Sequence, residues 1–249
     1  MACVNLVVRR ASALWLAAGL HGVARADDDA ASTIKIPVPP HSYVRLEPSY
    51  TMLSGGGSAS ALLARGLFVF DGPDGVASAL RLDLSLERVH STTGLGDAEL
   101  TELSGAVFDW GSVGMGLALI VPTATSAELG GGDLRIGPAF YVYVGAIQRA
   151  QASLVVRSPF AMGRGSTRSP AIESQIEPII SVSVTDELCI VSSGQITVDW
   201  LAGTVNVPVN LRVGRSYGRH WYVELGPEVV ISGPSRGDLT LDLEVDYLE

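Results

Sequence analysis

From about residue 43 onward the chain alternates apolar and polar residues, and helical spacing is nearly absent. Leu80, Leu82, Leu84 and Leu86 interleave with Arg81, Asp83, Ser85 and Glu87. Val205, Val207, Val209, Leu211 and Val213 do the same against Thr204, Asn206, Pro208, Asn210 and Arg212. The last segment sets Leu239, Leu241, Leu243, Val245 and Tyr247 against Asp238, Thr240, Asp242, Glu244 and Asp246. A strand sends successive side chains to opposite faces, so each segment has one apolar and one polar face. Runs of about ten residues exceed the usual five or six of a soluble sheet and suit a tilted membrane strand.

Twelve strands are expected, near 43–53, 60–70, 77–88, 98–109, 112–121, 133–144, 147–157, 172–184, 187–200, 203–214, 219–231 and 237–248. The second and fourth carry the weakest pattern. In the fourth, Leu100 and Leu103 fall out of phase, which predicts a bulge or a shifted boundary. The connections form two classes. With the N-terminus on the periplasmic side, the odd-numbered connections face outward and average about eight residues, against about three for the even-numbered ones. Long loops at one end, short turns at the other and an even strand count are the pattern of an outer-membrane barrel. The expected class is therefore all-β: a closed antiparallel transmembrane barrel of about 12 strands in meander order, over residues 43–249.

Composition agrees with that reading. The 249 residues are 47% apolar and 17% charged, with a mean hydropathy of +0.31. Soluble domains carry about 25% charge. Residues 1–26 read as a secretory leader: Arg9 and Arg10 precede an apolar stretch from Ala11 to Leu20, and Ala24-Arg25-Ala26 supplies small residues at the cleavage positions. Residues 27–42 read as an extended lead-in, because Pro37, Pro39 and Pro40 cannot donate to a ladder. The leader holds three arginines and no acid, so its removal takes the formal charge from −9 to −12. Such a charge and a pI near 4.9 exclude a nucleic-acid partner. Cys3 leaves with the leader, and Cys189 then has no intrachain partner.

Polar faces identify the lumen. Arg81, Asp83, Arg135, Arg149, Arg157, Glu173, Glu177, Arg212, Glu224 and Glu228 are the candidate lining residues. An arginine facing lipid at mid-depth costs about 2–4 kcal/mol, so these groups are expected to point inward. They either form a charged constriction that selects solutes or fill the lumen with ion pairs. Tyr43, Trp110, Trp200, Trp221, Tyr222 and Tyr247 lie near strand ends and are the candidate interfacial aromatics.

Thr93-Gly94-Leu95-Gly96-Asp97, Gly114 to Thr123, Gly130, Leu134 to Pro138 and Val207 to Gly214 resemble, in the same order, stretches of the outer-membrane barrel family named for the MetA pathway of phenol degradation. The similarity covers roughly residues 90–249. It implies an outer-membrane barrel that passes small, apolar or aromatic compounds and brings no catalytic residues. The chain departs from outer-membrane barrels in ending Tyr247-Leu248-Glu249 where an aromatic residue is usual. The assembly machinery would then read a signal displaced by two residues.

Other chemistry is thinly represented. Gly94-Leu95-Gly96-Asp97 lacks the endings of a phosphate loop or the spacing of a calcium loop and is expected to be a turn. His90 beside Ser91 near a strand end is the sole serine–histidine candidate, without a nucleophile elbow. Neither an enzyme, a cofactor nor a metal site is expected. The expected function is a passive channel in the bacterial outer membrane, reached after cleavage near Ala26, with membrane lipid, the assembly machinery and a small solute as partners. A structural or adhesive barrel, and a soluble secreted β-sandwich or lipocalin-like binder, are the alternatives.

Overall fold

A computed structural model describes residues 42–72, 75–147, 149–162 and 172–249. The leader, nearly all of the lead-in, and most of the Ser158–Ala171 connection with Arg164 and Arg168 lie outside the described residues. Among the described residues no helix is long and apolar enough to cross a membrane. The strands are β1 (Tyr43–Met52), β2 (Ser58–Asp71), β3 (Val76–Val89), β4 (Thr92–Leu95), β5 (Ala98–Phe108), β6 (Gly111–Val121), β7 (Arg135–Ile147), β8 (Ala150–Arg157), β9 (Phe160–Ala161), β10 (Glu173–Ser183), β11 (Leu188–Ser193), β12 (Ile196–Asp199), β13 (Thr204–Asn210), β14 (Arg212–Tyr217), β15 (Trp221–Ser232) and β16 (Leu239–Leu248).

Four staves are interrupted, each made of two consecutive segments: β4 with β5, β8 with β9, β11 with β12, and β13 with β14. The result is twelve staves in meander order, every neighbour antiparallel. β16 closes onto β1, with Tyr43 opposite Leu248 and Met52 opposite Leu239. Closure removes the sheet edges, so no row of backbone donors and acceptors is left facing hydrocarbon. The count, order and closure agree with the alternation.

The fourth stave carries a bulge, but it lies upstream of Leu100 and Leu103 rather than between them. Leu95 lies opposite Leu86 but Leu100 lies opposite Leu82, so the register slides by one residue across Gly96-Asp97. Beyond it the β5 ladder is unbroken, so Leu100 and Leu103, three residues apart, take opposite faces: Leu100 outward and Leu103, only 7% exposed, inward. Asp97 then anchors the loop after β6, accepting from the amide nitrogens of Ala124 at 3.2 Å and Gly131 at 2.7 Å. Thr123 Oγ1 donates to the Gly96 carbonyl at 2.9 Å. The glycine-aspartate stretch is thus a bracket for a long loop.

The two faces of the wall are inverted relative to a soluble protein. Met115, Leu211, Ile180 and Val213 are 71%, 61%, 55% and 53% exposed, while Arg157, Asp246 and Glu224 are 1%, 0% and 3% exposed. Water would drive the first set inward. A bilayer accepts them where they are, and the charged set lies within the barrel. Both described chain ends meet at one end of the barrel, called here the terminus end; the opposite, loop end carries the longer connections.

Candidate functional site: the barrel lumen

Strand parity aims a row of charged side chains into the lumen, and they meet as two networks. The first crosses the barrel. On β3, Arg81 donates through Nε and Nη2 to Asp83 Oδ2 at 2.9 and 2.7 Å, and through Nη1 to Glu177 Oε2 of β10 at 2.8 Å. On β2, Arg65 donates through Nε to Asp83 Oδ1 at 2.9 Å, and its Nη1 stands 3.7 Å from Glu177 Oε1. On β8, Arg157 pairs with Glu99 of β5 and, through Nη2, with Glu177 Oε2 at 3.3 Å and Gln195 Oε1 at 3.1 Å. The staves of Arg65 and Glu177 are diametrically opposed in the closed circuit. These side chains therefore form a bridge across the lumen, with three arginines against three acids.

The second network runs along one wall and is acidic. Arg45 pairs with Asp246 at 2.8 Å and Glu244 at 2.6 Å. Arg212 reaches Asp242 at 3.0 Å, Glu244 at 3.4 Å, Glu224 at 3.5 Å and Glu47 at 3.7 Å. Two guanidinium groups here face five carboxylates. Glu228 stands beside them and accepts from Asn210 Nδ2 at 3.3 Å. Arg45 and Arg65 are cross-strand partners in the β1–β2 ladder, so the two networks abut. Like charges directly opposite repel, and each arginine is compensated by its own acids.

Between them these groups divide the lumen into two chambers. The terminus-end chamber has a volume of about 270 Å³ and is walled mainly by Tyr43, Leu67, Leu103, Tyr141, Val155 and Ile179. Gly114 matters to its shape, because any side chain there would collide with the Tyr141 ring. Thr101 Oγ1 and Ser153 Oγ also line it, buried and without hydrogen-bond partners among the described residues. The loop-end chamber, about 280 Å³, is walled by Glu47, Gln195, Asn206, Glu228 and Asp242 among others. Arg45, Arg65, Glu177 and Ile179 line both, which makes the bridge their shared partition.

Of the residues selected from sequence, Arg81, Asp83, Arg157 and Glu177 belong to the bridge, and Arg212, Glu224 and Glu228 to the acidic wall. Arg135 lies apart from these, pairing with Glu173 at 3.3 Å and Asp97 at 3.7 Å. Arg149 requires correction. It is exposed at the turn before β8, where Nη1 donates to the Val184 carbonyl at 2.9 Å, so it does not line the lumen. The register shift between Val144 and Ile147 ends the alternation before that residue.

Two aromatic assignments are also corrected. Tyr43 is 7% exposed and lines the terminus-end chamber; Tyr222 is fully buried, donating to Glu224 Oε2 at 2.7 Å and touching Cys189 Sγ at 3.1 Å. Both share parity with inward charged residues, Arg45 and Glu224, and that outweighs their nearness to strand ends. Trp110 stacks on Phe108 at 5.4 Å and Trp221 meets Tyr247 edge-on at 5.3 Å, all about half exposed at the terminus end. Trp200, 63% exposed, stands at the loop end, its indole nitrogen donating to Ser174 Oγ.

The sequence reading missed Arg45, Arg65, Glu47, Glu99, Asp242, Glu244 and Asp246. Parity was sufficient to find Arg45 and the acids of β16. Glu99 and Arg65 fell in the two strands with the weakest alternation. His90 and Ser91 form the two-residue turn between β3 and β4, with His90 at a φ of 54°, and no hydrogen bond joins them among the described residues.

No protein family and no curated sequence matches the chain. Solved structures do. The COG4313 outer membrane channel from Pseudomonas putida F1 superposes with a TM-score of 0.66 at 11% identity, covering 90% of this chain and 100% of that one. The NanC porin gives 0.57 at 8% identity, and the KdgM porin 0.50 at 13%, each covering 82% of this chain and 98% of its own. The chain has the fold of an outer-membrane β-barrel.

Proposed function

We propose that the protein is a passive channel of the bacterial outer membrane for small, neutral, apolar or aromatic molecules, set in the membrane after cleavage near Ala26. The observation that carries this reading is the division of one lumen into an apolar chamber and an acidic one by a charge-balanced bridge. The apolar chamber offers dispersion contacts and two unpaired hydroxyls, which suits a compact solute with one polar group. The bridge presents no net charge, so it neither attracts nor repels such a solute, yet it obstructs hydrated ions. The resemblance of residues 90–249 to the phenol-degradation barrels, and the fold shared with a channel and porins, support the same class. The outer face would sit in outer-membrane lipid, inserted by the assembly machinery that handles such barrels.

The bridge also favours a second reading, a barrel whose lumen is filled and transports nothing. Reconstitution separates the two. The channel reading expects purified protein in liposomes to admit a small neutral aromatic solute faster than protein-free vesicles. Absence of both solute uptake and ion conductance would leave a structural barrel.

A further inference from the structure

The outer face carries an anomaly independent of the lumen. Among the described residues, Glu102 is the one charged side chain on that face away from the strand ends; Arg88 and Arg215 lie within three residues of theirs. The register places Glu102 between Leu80 of β3 and Leu117 of β6. It is separated from the interfacial Phe108 by about 20 Å along the strand, or about 15 Å along the axis at the usual tilt. That is near the middle of an apolar band about 25 Å tall. Carboxyl groups are expensive there and persist where something satisfies them.

The barrel satisfies the group only in part. Ser104 Oγ donates to Glu102 Oε1 at 2.7 Å, and Ser78 Oγ lies 2.8 Å from Ser104 Oγ, forming a short polar chain. Glu102 Oε2 meets no partner among the described residues. The relief beside it is uneven. Ser78, Ser104 and Ala106 leave a shallow strip, whereas Met115, the cross-strand partner of Ser104, projects with 71% of its surface exposed.

We infer that this patch is the contact surface for a second copy of the chain, an inference that rests on the barrel lying in a membrane. Lipid offers no hydrogen-bonding group at that depth, so the partner must be protein. Two copies inserted in the same direction are related by a two-fold axis along the membrane normal, which brings each patch against itself at equal depth. Each copy has an accepting oxygen without a partner among the described residues, Glu102 Oε2, and a hydroxyl donor at Ser78 that can turn from Ser104 to the carboxylate of the other copy. Polar groups on lipid faces join membrane proteins in this way. The same axis lets Met115 of each copy fill the Ser78–Ser104–Ala106 strip of the other, and the long flexible side chain of methionine suits that packing.

The test uses the full chain in native outer membrane. Met115→Cys is expected to form a disulfide-linked species of twice the mass, at about ten times the yield of Leu211→Cys, which is 61% exposed on a remote part of the wall. Adding Glu102→Leu lowers the yield to the Leu211→Cys level, whereas Glu102→Gln, which keeps the accepting oxygen, retains it. Heat-modifiable gel migration shows that each variant is folded, and the mass of wild-type protein in lipid nanodiscs provides a reading without substitution. Equal yields at Met115→Cys and Leu211→Cys, a monomeric wild-type mass, or crosslinking to a different protein overturns the inference. Failure of the wild-type chain to partition with the outer membrane would instead defeat the membrane reading beneath it.

Discussion

The two chambers of the lumen are built by one alternation rule but filled with opposite chemistry. At the terminus end the inward positions are Tyr43, Leu67, Leu103, Tyr141 and Ile179; toward the loop end they are Glu47, Gln195, Asn206, Glu228 and Asp242. Inward position alone therefore does not mean polar. What distinguishes the chambers is the bridge at which they meet, where Arg65, Arg81 and Arg157 are matched by Asp83, Glu99 and Glu177. In the channel proposed above, a solute passing from one chamber to the other would exchange solvation by water and carboxylates for solvation by hydrocarbon. A charged solute loses on that exchange and an apolar one gains.

The comparison can be broken most severely at the partition. Arg81→Ala leaves Asp83 and Glu177 with fewer counter-charges in a confined site, and removing one partner of such a pair costs about 3–5 kcal/mol. Denaturant unfolding followed by gel migration should register that loss, while the same substitution at the exposed Arg215–Glu187 pair should cost no more than about 1 kcal/mol. A smaller effect is expected from making the chambers alike. Leu103→Asp places a carboxyl in the apolar chamber, at a cost of about 1–3 kcal/mol to an apolar solute passing beside it, so liposome uptake of a neutral aromatic probe should fall about tenfold. The smallest effect should come from the acidic wall. Asp242→Asn with Glu228→Gln removes two carboxylates from the loop-end chamber, and the reversal potential in a salt gradient should show cation preference falling by about twofold. Salt should blunt this difference, since the loop-end chamber is open to solvent ions.

Alternation made the barrel legible because a lipid-facing wall tolerates few exceptions. Every stave was visible in the sequence, although the interruptions within four of them were not. The bulge of the fourth stave lies upstream at Gly96-Asp97; Leu100 and Leu103 differ in phase because they share one unbroken ladder three residues apart, Leu103 facing an apolar part of the lumen. The division of the lumen was not legible, since Leu67 and Leu103 look like lipid-facing residues until their parity is tied to a neighbour. Nor could any pattern along the chain show that Glu177 meets both Arg65 and Arg81, because that contact spans the barrel rather than a ladder. Tyr43 and Tyr222 show a readable signal given too little weight: their parity with Arg45 and Glu224 placed them inside, and their position near strand ends suggested a girdle. Arg149 shows the converse, parity extended past the point where the strand begins.

Glu177 is the acid that touches all three arginines of the bridge, so it holds the central claim. Single-channel conductance in planar bilayers should be compared for wild-type protein and Glu177→Ala, each with heat-modifiable migration confirmed. If the bridge partitions a continuous path, conductance in the variant should rise about tenfold, because the remaining arginines lose their anchor on the far wall. Equal conductance in the two proteins, or none in either, would contradict a lumen gated by this bridge.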